Sequence, residues 1–498
     1  MFRGMIRFDR NPWANLRWLD GLALVLYAGV AGATMLHHEP WADEAEAWLL
    51  ARDLGWFKLV FSELRYEGHP GLWYTILWIA IHWFNAGYAA LGWIGLSCAV
   101  AGAAVLIFLA PFPRPLRYLI AFSFYFLYQY AVLARSYNML PFFAFLAAYF
   151  YRRGSGAVVP LTLTLGFLAS VSVHGMVIAL ALALSFGRRA VLEGSLKDAG
   201  LKKQFFVSAS FLSAAFVLLT ILLLPASGTT AEYDARAITF SRHLGLSAAG
   251  IGYAFSTFIP VSFGIAGLLY IWAKKRHVRL VFAVSLIGNA LVFGFVRGRV
   301  HHLGIQVVGS VVALWCGWPA KSEAAGFDRA GTRWNRAAYS TLCLLFAYQS
   351  FWSISAVQWD WLLPYSGARE AAEFLQSMGA HRQSVEAFDH ISVAIQPYFS
   401  HNIFANFRAP GGAAFYRDTM DFRRRTTLTN ESELTADWVV AGVLAPSLMP
   451  ATTQLVERSG YSLMHVAYGS GFFPRADLVD EQTYLIFRRK ESVTSGRR

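Results

Sequence analysis

Apolar runs separated by short polar breaks dominate this chain. A helix needs about 20 mainly apolar residues to cross the hydrocarbon core of a bilayer. Runs of that kind fall at 18–36, 88–110, 116–134, 137–151, 157–173, 175–187, 205–224, 251–273, 279–296, 302–319 and 337–357. The pattern predicts eleven membrane-spanning helices. The stretch from Leu72 to Phe84, LWYTILWIAIHWF, is too short and too rich in Trp to be a twelfth, and predicts a juxtamembrane helix at headgroup level. Three polar segments are larger than connecting loops: 37–71, 225–250 and the tail 358–498. In the tail, Ala368 to Leu375 has helical periodicity, while VEAF, ADWVVAGVL and TYLIFRRK read as strands. The expected fold is an all-α polytopic membrane protein. Its transmembrane domain covers 1–357, with juxtamembrane helices in the first outer loop, and 358–498 form a small α/β domain outside the membrane. No internal repeat is visible.

Composition narrows the class. Of 498 residues, 56% are hydrophobic and 15% charged, against roughly 45–50% and 25% in soluble domains. An ordinary cytosolic enzyme and a disordered chain are excluded. With 40 Phe, 22 Tyr and 17 Trp but three Cys, so is a disulfide-stapled module. Cys98, Cys316 and Cys343 each sit inside an apolar run and lack metal-ligand spacing. A net charge of +13 would suggest nucleic acid in a soluble protein. Here it follows from Lys and Arg on cytoplasmic loops, and no nucleic-acid partner is expected. With Leu72 to Phe84 kept out of the membrane, the loops predicted to be cytoplasmic carry 21 Lys and Arg and the outer connections 8. Counting it as a span would invert every later loop. The N-terminus is therefore expected in the cytoplasm and the C-terminal domain outside it, in a bacterial inner membrane. The stretch from Trp18 has a basic flank but no A-x-A-like cleavage site, and reads as a retained first span.

Candidate chemistry concentrates in the first outer loop. His38-Glu39-Pro40-Trp41-Ala42-Asp43-Glu44-Ala45-Glu46 places four carboxylates within eight residues just beyond the first span. Asp43 could serve simply as a helix N-cap, but four acids beside a bilayer exceed what a cap needs. Glu67 and His69 lie in the Gly- and Pro-rich turn Glu67-Gly68-His69-Pro70-Gly71 at the far end of the loop. His38, Asp43 and His69 are candidate metal ligands, although their spacing matches no tight motif. Arg135, Arg297 and Arg299, with His301 and His302, stand at outer span ends. Singly each arginine could be a snorkelling anchor; together they would surround an anionic phosphate. His174 reads as a satisfied polar group. Tyr66, Trp73 and Tyr74 read as interface packing or as the lining of a lipid access path.

A short basic N-terminus, one span, an outer loop with the Asp43-Glu44 pair and the acid-x-x-Pro turn Glu67 to Pro70 resemble the GT-C superfamily of polyprenyl-phosphate-sugar-dependent glycosyltransferases. Within it, the chain is most similar to the branch of protein O-mannosyltransferases, lipid A aminoarabinose transferases and lipopolysaccharide-core galacturonosyltransferases. The resemblance covers roughly 18–320, most clearly 38–75 and 134–175. It implies that Asp43 is the catalytic base, with Glu44 as its neighbour and Glu67 as a second acid of the catalytic site, and these two are expected to orient the substrate or bind a metal. A divalent Mg or Mn ion is the one cofactor it suggests; no organic cofactor is expected. The implied partners are a polyprenyl-phosphate sugar, the lipid bilayer and a glycan, lipid or protein acceptor. Two departures stand out. Pro70 is followed by Gly71 where many relatives have a second Pro, and Arg135 stands about where aminoarabinose transferases carry another acid. The competing readings are a transporter or lipid flippase, and a non-catalytic subunit of an envelope assembly machine.

Overall fold

A computed structural model describes residues 17–230, 232, 239–295, 300–319, 329–407, 412–429, 432–474 and 482–490. The described chain is mainly helical, with one small sheet near its C-terminus. Among the described residues, five helices are long and apolar enough to cross a membrane: α1 (Arg17–His37), Ala90–Leu109, Val173–Leu192, Ala199–Leu223 and Arg333–Leu362 within the longer helix Arg329–Leu362. Shorter apolar helices, among them Arg279–Phe295 and His301–Gly317, accompany them. Small residues allow close helix approach, as where Gly92 of Ala90–Leu109 faces Met35 of α1.

One end of the bundle is tied by polar contacts between helices near their termini. Asp20 accepts from Arg114 Nε and Nη2 at 2.9 and 3.0 Å and from Tyr118 at 2.7 Å. At the same end Arg152 donates to the Trp315 carbonyl at 3.0 Å, and Arg276 to that of Gly317 at 2.8 Å. The opposite end carries the segment 37–71, which follows α1. There α2 (Ala42–Asp53) and α3 (Trp56–Phe61) follow α1, and α4 (Leu72–Phe84) lies back on α2. Trp78 Nε1 donates to the Leu54 carbonyl and Trp56 Nε1 to Thr75 Oγ1, both at 3.0 Å, and His82 meets the Ala51 carbonyl at 3.1 Å. Asn85, at φ 50°, caps α4 in the left-handed conformation and turns the chain. Tyr88 then packs on Trp48 of α2. Both ends of α4 thus stay with the segment 37–71.

Several apolar runs are not the single helices expected of them. The run 116–134 begins within the helix Arg114–Ala121, widens into a π-type turn over Phe124–Gln129 and is irregular up to Arg135. Tyr27 of α1 donates to the Phe126 carbonyl at 2.7 Å, diverting it from a regular helical ladder. The run 251–273 straddles two helices, Phe240–Gly252 and Ile259–Lys275. The break is held by Ser256 N donating to Ser262 Oγ at 3.0 Å, and the second helix starts with Pro260 in its first turn. Helix therefore also occupies the second half of the segment 225–250.

In the tail, β1 (Val385–Phe388) pairs parallel with β2 (Trp438–Val443). β3 (Tyr461–Ala467) and β4 (Thr483–Arg489) complete a sheet of order β1-β2-β4-β3, in which β4 runs antiparallel to both neighbours. The helix Ala368–Ser377 and three of the strands lie where the sequence pattern predicts them; β3 is additional. The tail docks on α2. Gln482 Oε1 accepts from Ala42 N at 3.2 Å, the Phe399 carbonyl from Arg52 Nη1 at 2.9 Å, and Asp53 Oδ2 from Ala414 N at 2.7 Å.

Candidate active site

The site grows from the first turn of α2. Trp41, extended, is the N-cap, and Glu44 folds back to accept its backbone N–H at 3.1 Å, a capping-box arrangement. This directs Asp43, Glu46 and Ala47 to one helix face, at spacings of three and four residues. They line a cavity of about 150 Å³ with Glu67, His69, Trp73, Tyr74, Arg135, Ser136 and Tyr416. The turn before α4 supplies Glu67 and His69, and the irregular segment after the π-type turn supplies Arg135.

Arg135 organises the cavity. Its Nη1 lies 2.9 Å from Asp43 Oδ2 and 3.0 Å from His301 Nε2. The guanidinium sits over the rings of Trp41 and Tyr137, 5.3 and 5.6 Å from their centroids, a cation–π setting. Its backbone is fixed as well, with Arg135 N donating to Asn138 Oδ1 at 2.6 Å. His302 stands one ring further out, 4.0 Å from His301 and 5.2 Å from His174 between centroids.

The tail closes one side. Tyr416 lines the cavity and donates its backbone N–H to Glu46 Oε1 at 3.1 Å. The next residue, Arg417, grips buried Glu63 with two bonds of 2.8 and 2.6 Å and covers the Tyr66 ring. Asp418 then accepts from Thr230 N through its carbonyl at 3.1 Å. Residues 414–418 thereby strap together α2, the turn before α4 and the segment that begins at 225.

Crowding of acids sets the electrostatics. Burial, then the charges of Asp418 and Asp43, push Glu67 up to about 8. Burial and the neighbouring Glu67 raise Glu46 well above the usual carboxylate range. Burial and the Arg135 charge bring His69 down to about 4, so its ring is neutral at pH 7. His69 Nδ1 and Trp73 Nε1 are buried polar atoms without a hydrogen-bond partner among the described residues.

No known protein family matches the chain. Compared with curated proteins, it also has no match. Site assignment therefore rests on the geometry. Asp43, Glu67, His69 and Arg135 come together in one cavity, with His301 joined through Arg135. Glu44 does not line it. Its Oε1 accepts from Ala134 N at 2.5 Å, and its Oε2 takes Trp41 N and lies 3.0 Å from His38 Nε2. His38 Nδ1 in turn lies 3.1 Å from Asp360 Oδ2. Burial opposes protonation of His38, but Glu44 and Asp360 outweigh it and raise the imidazole to about 10. The result is a buried carboxylate–imidazolium–carboxylate chain between the first loop and the last long helix.

Arg297 and Arg299 lie outside the described residues. His38, Asp43 and His69 do not form a convergent ligand set, and among the described residues no group of three His, Cys, Asp or Glu side chains is arranged to hold a metal ion. Asp43 is engaged by Arg135 and His38 by two acids, so this donor set does not fit a divalent ion. Glu46, Ser136 and Tyr416 were absent from the expected site. Glu46 carried a readable signal, three residues beyond Asp43; Tyr416 carried none.

Proposed function

We propose that the chain is an integral membrane glycosyltransferase of GT-C type. It would move a sugar from a polyprenyl phosphate to an acceptor on the outer face of a bacterial inner membrane. The acceptor class is a glycan, lipid or protein hydroxyl. The observation that carries this reading is the pairing of Asp43 with Arg135 inside a cavity at one end of an apolar helical bundle. Eleven passes belong to the reading. The five long helices and the shorter segments between them lead from the end marked by Asp20 and Arg114 to the end holding the cavity.

The chemistry asks for few groups. Asp43 Oδ accepts the acceptor hydroxyl's proton as its oxygen attacks the anomeric carbon. The bond from that carbon to the phosphate oxygen breaks, and the polyprenyl phosphate leaves with the electron pair. A phosphate needs no general acid, only a cation to stabilise its charge, and Arg135 supplies it. Donor phosphate on Arg135 would free Asp43 from its ion pair and ready it as base. One direct displacement inverts the anomeric centre. Glu67 orients the sugar, and Glu44 holds the Arg135 segment in place through Ala134.

The test is incubation of membranes containing the full-length protein with a panel of polyprenyl-phosphate sugars and a crude envelope acceptor. Mass spectrometry then follows the lipids. Free polyprenyl phosphate is the expected product. A flippase would relocate the donor intact, and a non-catalytic subunit would leave it unchanged; either result removes the transferase reading.

A further inference from the structure

We propose that His38 and Asp360 are positioning residues for Arg135: through Glu44 and the Ala134 backbone they hold the cavity's guanidinium where a donor phosphate would meet it. The inference rests on the glycosyltransferase reading for the phosphate, and on the geometry alone for the placement of Arg135.

The segment that carries Arg135 does not hold itself in place. Residues 130–135 lie in no helix or strand, so the Ala134 N–H has no helical acceptor, and Glu44 Oε1 supplies one at 2.5 Å. Glu44 has little freedom of its own, since its Oε2 takes Trp41 N at 3.1 Å and faces His38 Nε2 at 3.0 Å. The other ring nitrogen, Nδ1, lies 3.1 Å from Asp360 Oδ2. Carboxylates only accept, so both ring nitrogens donate, and the imidazolium is fixed in plane and direction. Burial opposes its charge, but the two carboxylates raise the imidazole to about 10, so the link is intact at pH 7 and opens as pH rises through about 10. Arg135 N also donates to Asn138 Oδ1 at 2.6 Å. Loss of the chain therefore shifts the guanidinium without releasing the whole segment.

Three buried ionisable groups are a costly way to join helices. The side chains of His38, Glu44 and Asp360 are 3%, 1% and 0% exposed, and apolar residues of similar volume would hold the same helices at least as well. What apolar contacts lack is direction, which a chain of charged hydrogen bonds passes on from residue to residue. Asp360 stands in the last turn of the helix Arg329–Leu362, whose apolar stretch is long enough to span a membrane, a setting in which an ionisable residue and its partner point to function. Its neighbours keep it in register: Trp359 Nε1 donates to the Ser470 carbonyl at 3.0 Å, and Trp361 stacks on His37 at 4.7 Å. Among the described residues, the other titratable groups facing the chain are Tyr365 over the His38 ring, Tyr128 beside Asp360, Tyr88 and Tyr398 on the Glu44 side, and Glu39, which is 3.7 Å from Arg369. A His38 variant separates their titration from that of the imidazole.

The experiment follows Arg135 itself. Full-length protein in nanodiscs is labelled briefly with phenylglyoxal, which reacts with guanidinium groups, and peptide mass spectrometry gives the ratio of label on Arg135 to label on Arg114. The pair of Arg114 with Asp20, at the far end of the bundle, makes it the internal standard. In wild type the ratio is expected to rise about tenfold as pH passes through about 10, and in His38→Gln to stand at the raised level from about pH 8 upward. A wild-type ratio that stays flat between about pH 8 and 11 overturns the inference even if the variant fails to fold. So does a folded His38→Gln protein with the wild-type ratio. The second measurement is the dissociation constant of short-chain polyprenyl phosphate. His38→Gln and Asp360→Asn are each expected to weaken binding about tenfold, and His38→Gln added to Arg135→Gln to weaken it no further. A second full loss in the Arg135→Gln background would mean that His38 acts on the fold and not through Arg135, which also overturns the inference. If wild type shows the rise with pH but binds no polyprenyl phosphate, the transferase reading falls and the placement of Arg135 by His38 stands.

Discussion

Glu44 stands next to the proposed base, yet its contacts make it a structural carboxylate. Replacing it with Ala removes the acceptor for two buried backbone donors, Trp41 N and Ala134 N. It also leaves the His38 imidazolium with Asp360 as its one remaining carboxylate. Each orphaned donor costs about 1–3 kcal/mol, and breaking a buried ion pair by deleting one partner costs about 3–5 kcal/mol. These contributions share atoms and overlap, so the expected loss is about 3–5 kcal/mol. At about 1.4 kcal/mol per factor of ten, that is a rise of roughly a hundredfold to a few thousandfold in local opening. Hydrogen exchange of the Trp41 and Ala134 amides reports it directly. Glu44→Gln should behave similarly, because an amide oxygen replaces only part of what two carboxylate oxygens accept. Exchange at both amides within about threefold of wild type would refute the structural reasoning. It would return Glu44 to the candidates for chemistry.

Two further predictions follow from the same contacts. The His38 imidazole is raised from 6.5 to about 10 in the folded protein, so its stabilising contribution is fully present below pH 6.5 and lost as pH rises through about 10. Opening of the Trp41 and Ala134 amides, corrected for the intrinsic pH dependence of exchange, should grow between pH 8 and 10, and this growth should vanish in His38→Gln. Arg417→Ala leaves the 1%-exposed Glu63 without its two bonds, at about 2–4 kcal/mol after allowing for the partly exposed guanidinium. Hydrogen exchange of the neighbouring Tyr416 amide should accelerate by at least about tenfold, and an unchanged rate would mean that the strap is held elsewhere.

The parts of the fold legible in the sequence are those set by local pattern. Leu72 to Phe84 is short and rich in Trp, and the helix it forms lies against α2. VEAF and TYLIFRRK are compact apolar runs that became β1 and β4. β3 was hidden because Tyr461–Ala467 mixes Ser, Met and His into a strand bulged between Leu463 and His465. The π-type turn at Phe124–Gln129 was equally hidden, since an aromatic run does not disclose that Tyr27 will take one of its carbonyls. In the site, adjacent residues on a helix point about 100° apart. Asp43 therefore reaches the cavity and Glu44 does not, while Glu46 shares the face of Asp43. The two long-range elements had no local signature: the His38–Asp360 contact joins positions 322 apart, and the Glu46–Tyr416 bond positions 370 apart.

The central claim is that Asp43 activates an acceptor hydroxyl in this cavity. Its most direct test is the single-turnover rate of polyprenyl-phosphate release by purified wild type and Asp43→Asn, with the accepted donor and acceptor at saturating concentration. Loss of a general base predicts a fall of about a hundredfold or more, with donor binding retained. Equal rates in a correctly folded Asp43→Asn protein would contradict the assignment of Asp43 as base.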